Sequence, residues 1–88
     1  MEKKWTERAW SDYLYWQEYD RKILRKINKL LEDIDRNGER AGIGHPEPLK
    51  GDKAELWSRH IDKEHRLVYR IREGILEIMV CRTHYGDR

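Results

Sequence analysis

Glu47 stands between two prolines in Pro46-Glu47-Pro48, and Lys50 follows two residues later. Arg66 sits in a run that alternates polar and apolar side chains, and the pair His84-Tyr85 follows the last apolar run. A carboxylate, an imidazole and cations are the groups that cleavage of RNA through its own 2′-hydroxyl requires. One group removes the hydroxyl proton, another protonates the departing 5′-oxygen, and cations offset the charge gathering on phosphorus. A planar aromatic can stack on an unpaired base. The set is permissive rather than diagnostic, because small charged chains commonly hold one of each. In the bland reading Glu47 is a surface residue of a rigid turn and Lys50 a solvated loop lysine. Arg66 is then half of a surface ion pair with Glu64 or Glu77, worth little, and His84 and Tyr85 are solvated or packing residues.

The other reactive types are read as structural. His65 follows a turn and orients a hairpin through its ring. Cys81 reads as a buried strand residue, since nothing nearby would activate a thiolate. His45, His60, His65, His84 and Cys81 lack the paired spacing of a zinc site, so neither a metal nor a cofactor is expected. A lone cysteine excludes a disulfide framework and favours a reducing, cytoplasmic setting.

The elements that must position these residues are those of a small chain. Its 88 residues leave room for one domain, residues 1–88, with a modest core. Nine aromatics, four Trp and five Tyr, are too many for a disordered chain. No apolar run approaches the length of a membrane span, and the N-terminus lacks the h-region of a signal peptide. The net charge of +2 is too small to argue nucleic-acid binding by itself.

Glu2 to Trp5 reads as a short edge strand guarded by lysines. Thr6 is a candidate N-cap for a helix over 7–18, with Trp10, Tyr13, Leu14 and Gln17 at helical spacing. Asp20 is the cap of a second helix, whose stripe of Ile23, Leu24, Ile27, Leu30, Leu31 and Ile34 is core-facing. Asn37-Gly38 supplies its stop. Residues 39–55, with several glycines and two prolines, read as a long loop of functional character. Two hairpins follow, built from 56–61, 65–72 and 75–82. Pairing Arg72 with Ile75 across Glu73-Gly74 puts Leu67, Tyr69 and Ile71 on one face with Leu76, Ile78 and Val80. The other face then carries Arg66, Val68 and Arg70 opposite Ile75, Glu77, Met79 and Cys81. Arg70 and Glu77 become cross-strand partners, and Arg66 is left without one.

Asp12-Tyr13-Leu14-Tyr15-Trp16-Gln17, Pro46-Glu47-Pro48-Leu49-Lys50, Trp57-Ser58-Arg59, Glu64-His65-Arg66-Leu67-Val68-Tyr69 and Cys81-Arg82-x-His84-Tyr85 carry a resemblance. In order and spacing they resemble the YoeB/Txe branch of the RelE-type toxins, across residues 5–85. The resemblance implies an α+β, microbial-RNase-like fold with two N-terminal helices on one face of a twisted antiparallel sheet. It implies a toxin that enters the A site of the 70S ribosome and cleaves mRNA there without a metal. The toxin would be a homodimer neutralised by a YefM-like antitoxin, reaching operator DNA only through the antitoxin complex. By the same resemblance Glu47 is the general base, Arg66 the transition-state arginine and His84 the general acid. Lys50, Arg59 and Tyr85 are then substrate contacts. The competing class is a binding module that blocks translation or joins a repressor complex without cutting. The chain departs from the family pattern at His60, where a second arginine is usual, and at Lys3-Lys4, where the pattern is apolar. Gly86-Asp87-Arg88 follow the tyrosine.

Overall fold

The computed structural model describes residues 1–51 and 55–83. The elements run β1 (Glu2–Trp5), α1 (Glu7–Tyr19), α2 (Arg21–Asn37), β2 (Glu47–Pro48), β3 (Trp57–His60), β4 (Arg66–Arg72) and β5 (Ile75–Val80). Both helix starts follow from their caps. The Thr6 hydroxyl accepts from the Ala9 N–H, and the Asp20 carboxylate accepts from Lys22 and Ile23. Gly38, at φ 85°, closes α2 by donating its N–H to the Ile34 carbonyl. Ala9, Asp12 and Trp16 form the buried stripe of α1, and Ile27, Leu30, Leu31 and Ile34 that of α2. Both stripes pack with Leu67, Tyr69, Leu76 and Ile78 in one core, so the helices lie on a single face of the sheet. No helix among the described residues is long and apolar enough to cross a membrane.

The five strands are ordered β1-β5-β4-β3-β2. The expected antiparallel sheet is corrected here to a mixed one, because β1 pairs in parallel with β5. A strand that runs straight into two helices is joined to its neighbour by a crossover, and that connection permits parallel pairing where a hairpin would not. The expected loop over 39–55 also yields a short strand, since Glu47 pairs with Ser58 and Pro48 with Trp57. A segment flanked by prolines is confined to a sheet edge, which is where β2 lies.

The hairpin register holds as read, with Arg72 opposite Ile75 and Arg70 opposite Glu77. Glu73 and Gly74 both take positive φ, 54° and 76°, as a two-residue hairpin turn of matching twist requires. Beyond Ile78 the register shifts, so that Val68 faces Val80 and Met79 is the extra residue of a bulge. One inserted residue reverses the alternation that follows it. Val80 therefore joins Val68 and Leu56 on the face away from the helices, and Cys81 enters the helix-side core. Both placements are the reverse of those expected from the sequence. Thr6 holds the bulge by donating its hydroxyl to the Met79 carbonyl at 2.8 Å.

Arg59 organises the segment between α2 and β2. Its side chain is fully buried, and all five of its N–H groups are engaged. Nε donates to the Tyr69 hydroxyl at 2.9 Å. Nη1 donates to Asp33 Oδ2 at 2.6 Å and to the Ile43 carbonyl at 3.0 Å. Nη2 donates to the carbonyls of Gly38 and Ala41, both at 2.8 Å. Gly42 is obligatory beside this pair, since a Cβ there would fall 1.7 Å from Asp33 Oδ2. The expected substrate contact at Arg59 is thereby corrected, because a guanidinium with every donor occupied in the core has none to offer a ligand.

Burial pushes the Asp33 carboxyl up, but hydrogen bonds from Arg59, the Ile43 N–H and Asn37 outweigh it, so its pKa is lowered. Stability from a lowered carboxyl is present above the unfolded value, near 4, and lost as pH falls through the folded one. Arg59→Ala is expected to cost about 3–5 kcal/mol in urea unfolding, the usual penalty for removing one member of a buried pair. Asp33→Asn should lower stability at neutral pH and flatten the wild-type decline below about pH 4.

Candidate functional site on the open sheet face

The sheet alternation decides which side chains face away from the helices. Glu47 on β2, Ser58 and His60 on β3, and Val68 and Arg66 on β4 share that face, because Glu47 pairs with Ser58, Ser58 with Val68 and His60 with Arg66. Leu56, Val68 and Val80, with Leu49 and Met79 against them, form the apolar floor. Glu47 is exposed, and its Oε1 lies 3.9 Å from His60 Nε2. Lys50 is exposed at the turn that leaves β2.

Arg66 was read as unpartnered, and the structure modifies this. Its Nη1 donates to the carbonyls of Asp62 at 3.2 Å and of His65 at 3.3 Å. Its Nε and Nη2 make no hydrogen bond to any described residue, so that edge of the guanidinium is presented outward. Asp62 fixes the turn behind it by accepting from the N–H groups of Glu64 and His65, at 2.9 and 2.7 Å. Burial pushes the Asp62 carboxyl up, but these two bonds hold it lower on balance. Arg70 is paired with Glu77 across the strands, as expected, and that bond holds the Glu77 carboxyl low.

His84 and Tyr85 lie outside the described residues; the chain is described up to Thr83. That end is firmly placed. The Thr83 carbonyl accepts from the Arg66 N–H at 3.2 Å, and the Thr83 N–H donates to His65 Nδ1 at 2.7 Å. His65 thus orients the strand end as an acceptor rather than through a ring N–H, and Trp16 packs against its ring edge-on. Helix α1 adds the rest of the clamp. Asp12 accepts from the Cys81 N–H, Trp16 Nε1 donates to the Cys81 carbonyl, and Arg8 donates to the Arg82 carbonyl. The Arg82 guanidinium lies over the Tyr15 ring at 3.6 Å. Cys81 itself is buried, and burial pushes its thiol far above the ordinary range, so it is inert.

The arrangement therefore gathers Glu47, His60 and Arg66 on one surface, beside the point where the chain leads towards His84. Arg59 is turned into the core instead. Sequence reasoning missed the clamp of Arg8, Asp12 and Trp16, whose partners are some 65 to 74 residues away. His60 was legible in principle, since strand alternation puts it on the face of Ser58. Among the described residues, His, Cys, Asp and Glu do not gather in the threes a metal ion needs.

A two-helix layer on one face of a mixed sheet is shared with small bacterial toxins of solved structure. Residues 5–85 match the family profile of the YoeB-like toxin of bacterial type II toxin–antitoxin systems. The chain is 49% identical to toxin YoeB of Escherichia coli K12 over 85 residues, covering 97% of this chain and all of that one. The solved YoeB dimer of Staphylococcus aureus superposes with a TM-score of 0.91 at 44% identity, covering 97% of this chain and 98% of the other. The toxin chain of the heterotetrameric YoeB–YefM complex from the same organism gives 0.89 at 44% identity, with the same coverage. The chain belongs to the YoeB-like toxin family.

Because Glu47 is exposed and, among the described residues, its carboxylate is met by an ion pair at 3.9 Å, Glu47→Gln should change the unfolding free energy in urea by no more than about 0.5 kcal/mol. A larger shift would mean that the carboxylate is part of the scaffold.

Proposed function

We propose that this toxin is an endoribonuclease that cuts mRNA in the ribosomal A site by metal-independent acid–base chemistry. The observation that carries the reading is the common face of Glu47 and Arg66, with Thr83 hydrogen-bonded to the Arg66 backbone one residue before His84. Glu47 takes the proton of a 2′-hydroxyl, and that oxygen attacks the adjacent phosphorus. Negative charge builds on the phosphoryl oxygens, and the outward edge of Arg66 offers two N–H donors in a fork that suits them. His84 gives a proton to the departing 5′-oxygen. Lys50 contributes positive charge at the rim, and Tyr85 stacks on a base.

The net charge is only +2, so free RNA is held weakly. The ribosome supplies the orientation that the toxin alone does not, by holding the message in place. The Staphylococcus aureus relative is solved in complex with YefM; for the present toxin an antitoxin of that kind would cover the open face and tie it to operator DNA. A cytoplasmic homodimer completes the reading, in line with the dimer of the relative.

Induced expression followed by 5′-end mapping of a translated message tests the proposal. The expected fragments carry a 2′,3′-cyclic phosphate or its opened 3′-phosphate, and a free 5′-hydroxyl. Glu47→Gln or His84→Ala should slow cleavage by roughly 10²–10⁴-fold, the usual worth of a positioned base or acid. A 2′-deoxy nucleotide at the cut should abolish cleavage and spare binding. A 5′-phosphate product would make water the nucleophile and overturn the assigned roles. If the doubly substituted Glu47→Ala, His84→Ala protein still halts translation, the protein is a binding module instead. Co-expression with a YefM-like antitoxin should restore growth and yield a co-purifying complex.

A further inference from the structure

The open face holds one side chain, next to Glu47 and Arg66, that the mechanism above leaves unused. His60 ends β3 as the register partner of Arg66, with its side chain 39% exposed. Its backbone is fixed, because the His60 N–H donates to the Gly44 carbonyl at 2.7 Å. Among the described residues, groups from several neighbouring elements stand around the ring. Glu47 from β2 lies 3.9 Å from Nε2, the His45 ring from the preceding loop is 5.7 Å away, and Arg66 stands opposite on β4. Asp62, Lys63 and Glu64 occupy the turn that follows. At 3.9 Å the contact with Glu47 is electrostatic rather than a hydrogen bond.

Resting on the nuclease reading, we propose that His60 is a substrate-contacting residue whose imidazolium form pairs with Glu47 and, when RNA enters, faces the phosphate beside Arg66. One consequence follows from the chemistry of the ring. Arg66 and Lys50 keep their charge through the physiological range, whereas an ordinary imidazole loses its charge near pH 6.5. The cationic count of the face therefore falls by one across neutrality, and RNA phosphate is held less well on the alkaline side.

Single-turnover cleavage of ribosome-bound message, followed from about pH 6 to about pH 8.5, tests this with His60→Arg, His60→Lys and His60→Gln. Taking the ratio to His60→Arg cancels titrations common to both proteins, His84 included. The wild-type rate should fall roughly tenfold against His60→Arg over that range, the order of one charge-assisted contact. His60→Lys should behave as His60→Arg. His60→Gln should be roughly tenfold slow at the acid end and equal to wild type at the alkaline end. His45→Asn should keep the wild-type slope. Parallel profiles for wild type and the cationic variants would overturn the proposal, as would a slope that disappears in His45→Asn, because a purely structural residue lowers all points alike. Affinity for a single-stranded RNA carrying a 2′-methoxy group at the cut, read by fluorescence anisotropy, gives a second measure without cleavage. If the wild type cuts nothing at any pH, the nuclease reading falls. The affinity curves then decide on His60 alone, with wild-type binding weakening relative to His60→Arg as pH rises if the inference holds, and parallel curves overturning it.

Discussion

A guanidinium drawn wholly into the core, that of Arg59, dictates the path of the chain from the end of α2 to the edge of the sheet. Such a charge is costly to desolvate and tolerable only when every donor is met. Here the acceptors are one carboxylate, one hydroxyl and three backbone carbonyls taken from residues 38–43. The segment is therefore wound around a fixed cation rather than packed by apolar side chains. Tyr69, which accepts from Arg59, donates in turn to the Glu39 carbonyl at 2.8 Å. The segment leaves this wrapping at Gly44, whose carbonyl meets the His60 N–H, and reaches Glu47 three residues later. The position of the exposed carboxylate on the open face is thus set by an ion pair on the opposite side of the sheet.

The sheet separates two kinds of residue. Those facing the helices are apolar or, like Arg59 and Asp33, polar with their partners close at hand. Those facing outward hold their reactive atoms at the ends of exposed side chains, above a small floor of Leu56, Val68 and Val80. The floor itself depends on the bulge at Met79, without which Val80 would point to the helices. The same inserted residue sends Cys81 inward to be grasped by Asp12 and Trp16, and so brings Thr83 beside Arg66. One irregularity in β5 thereby serves the outer face and the inner core together.

Much of this was legible in the sequence where the governing interaction is local. The caps at Thr6 and Asp20, the stop at Gly38 and the pairing of Arg72 with Ile75 depend on residues within a few positions, and each is found where the sequence placed it. The Arg70–Glu77 pair follows from the same register. What escaped depends on distant partners. The parallel direction of β1 is set by a neighbour some seventy residues away, and the bulge is supported by Thr6 from the other end of the chain. The burial of Arg59 could not be read from its alternation pattern, which marks a face without saying that Asp33 and three carbonyls wait there. Arginine is a surface residue by type, and only a complete set of acceptors reverses that. For the site, residue types and motif order led to Glu47 and Arg66, and the geometry supplied their common face.

The pairing of β1 with β5 bears on when the chain can fold. Contacts between distant segments bring their loop-closure cost before their reward. Here β1 and β5, the first and last strands among the described residues, are sheet neighbours, and Thr6 bonds to both Ile78 and Met79. A nascent chain can form α1 and α2 early, but β1 lacks its sheet neighbour until β5 has been made. The face bearing Glu47 and Arg66 shares that sheet, so its assembly waits on β5. In an architecture of this kind the two helices precede the sheet, and the outer face is finished last.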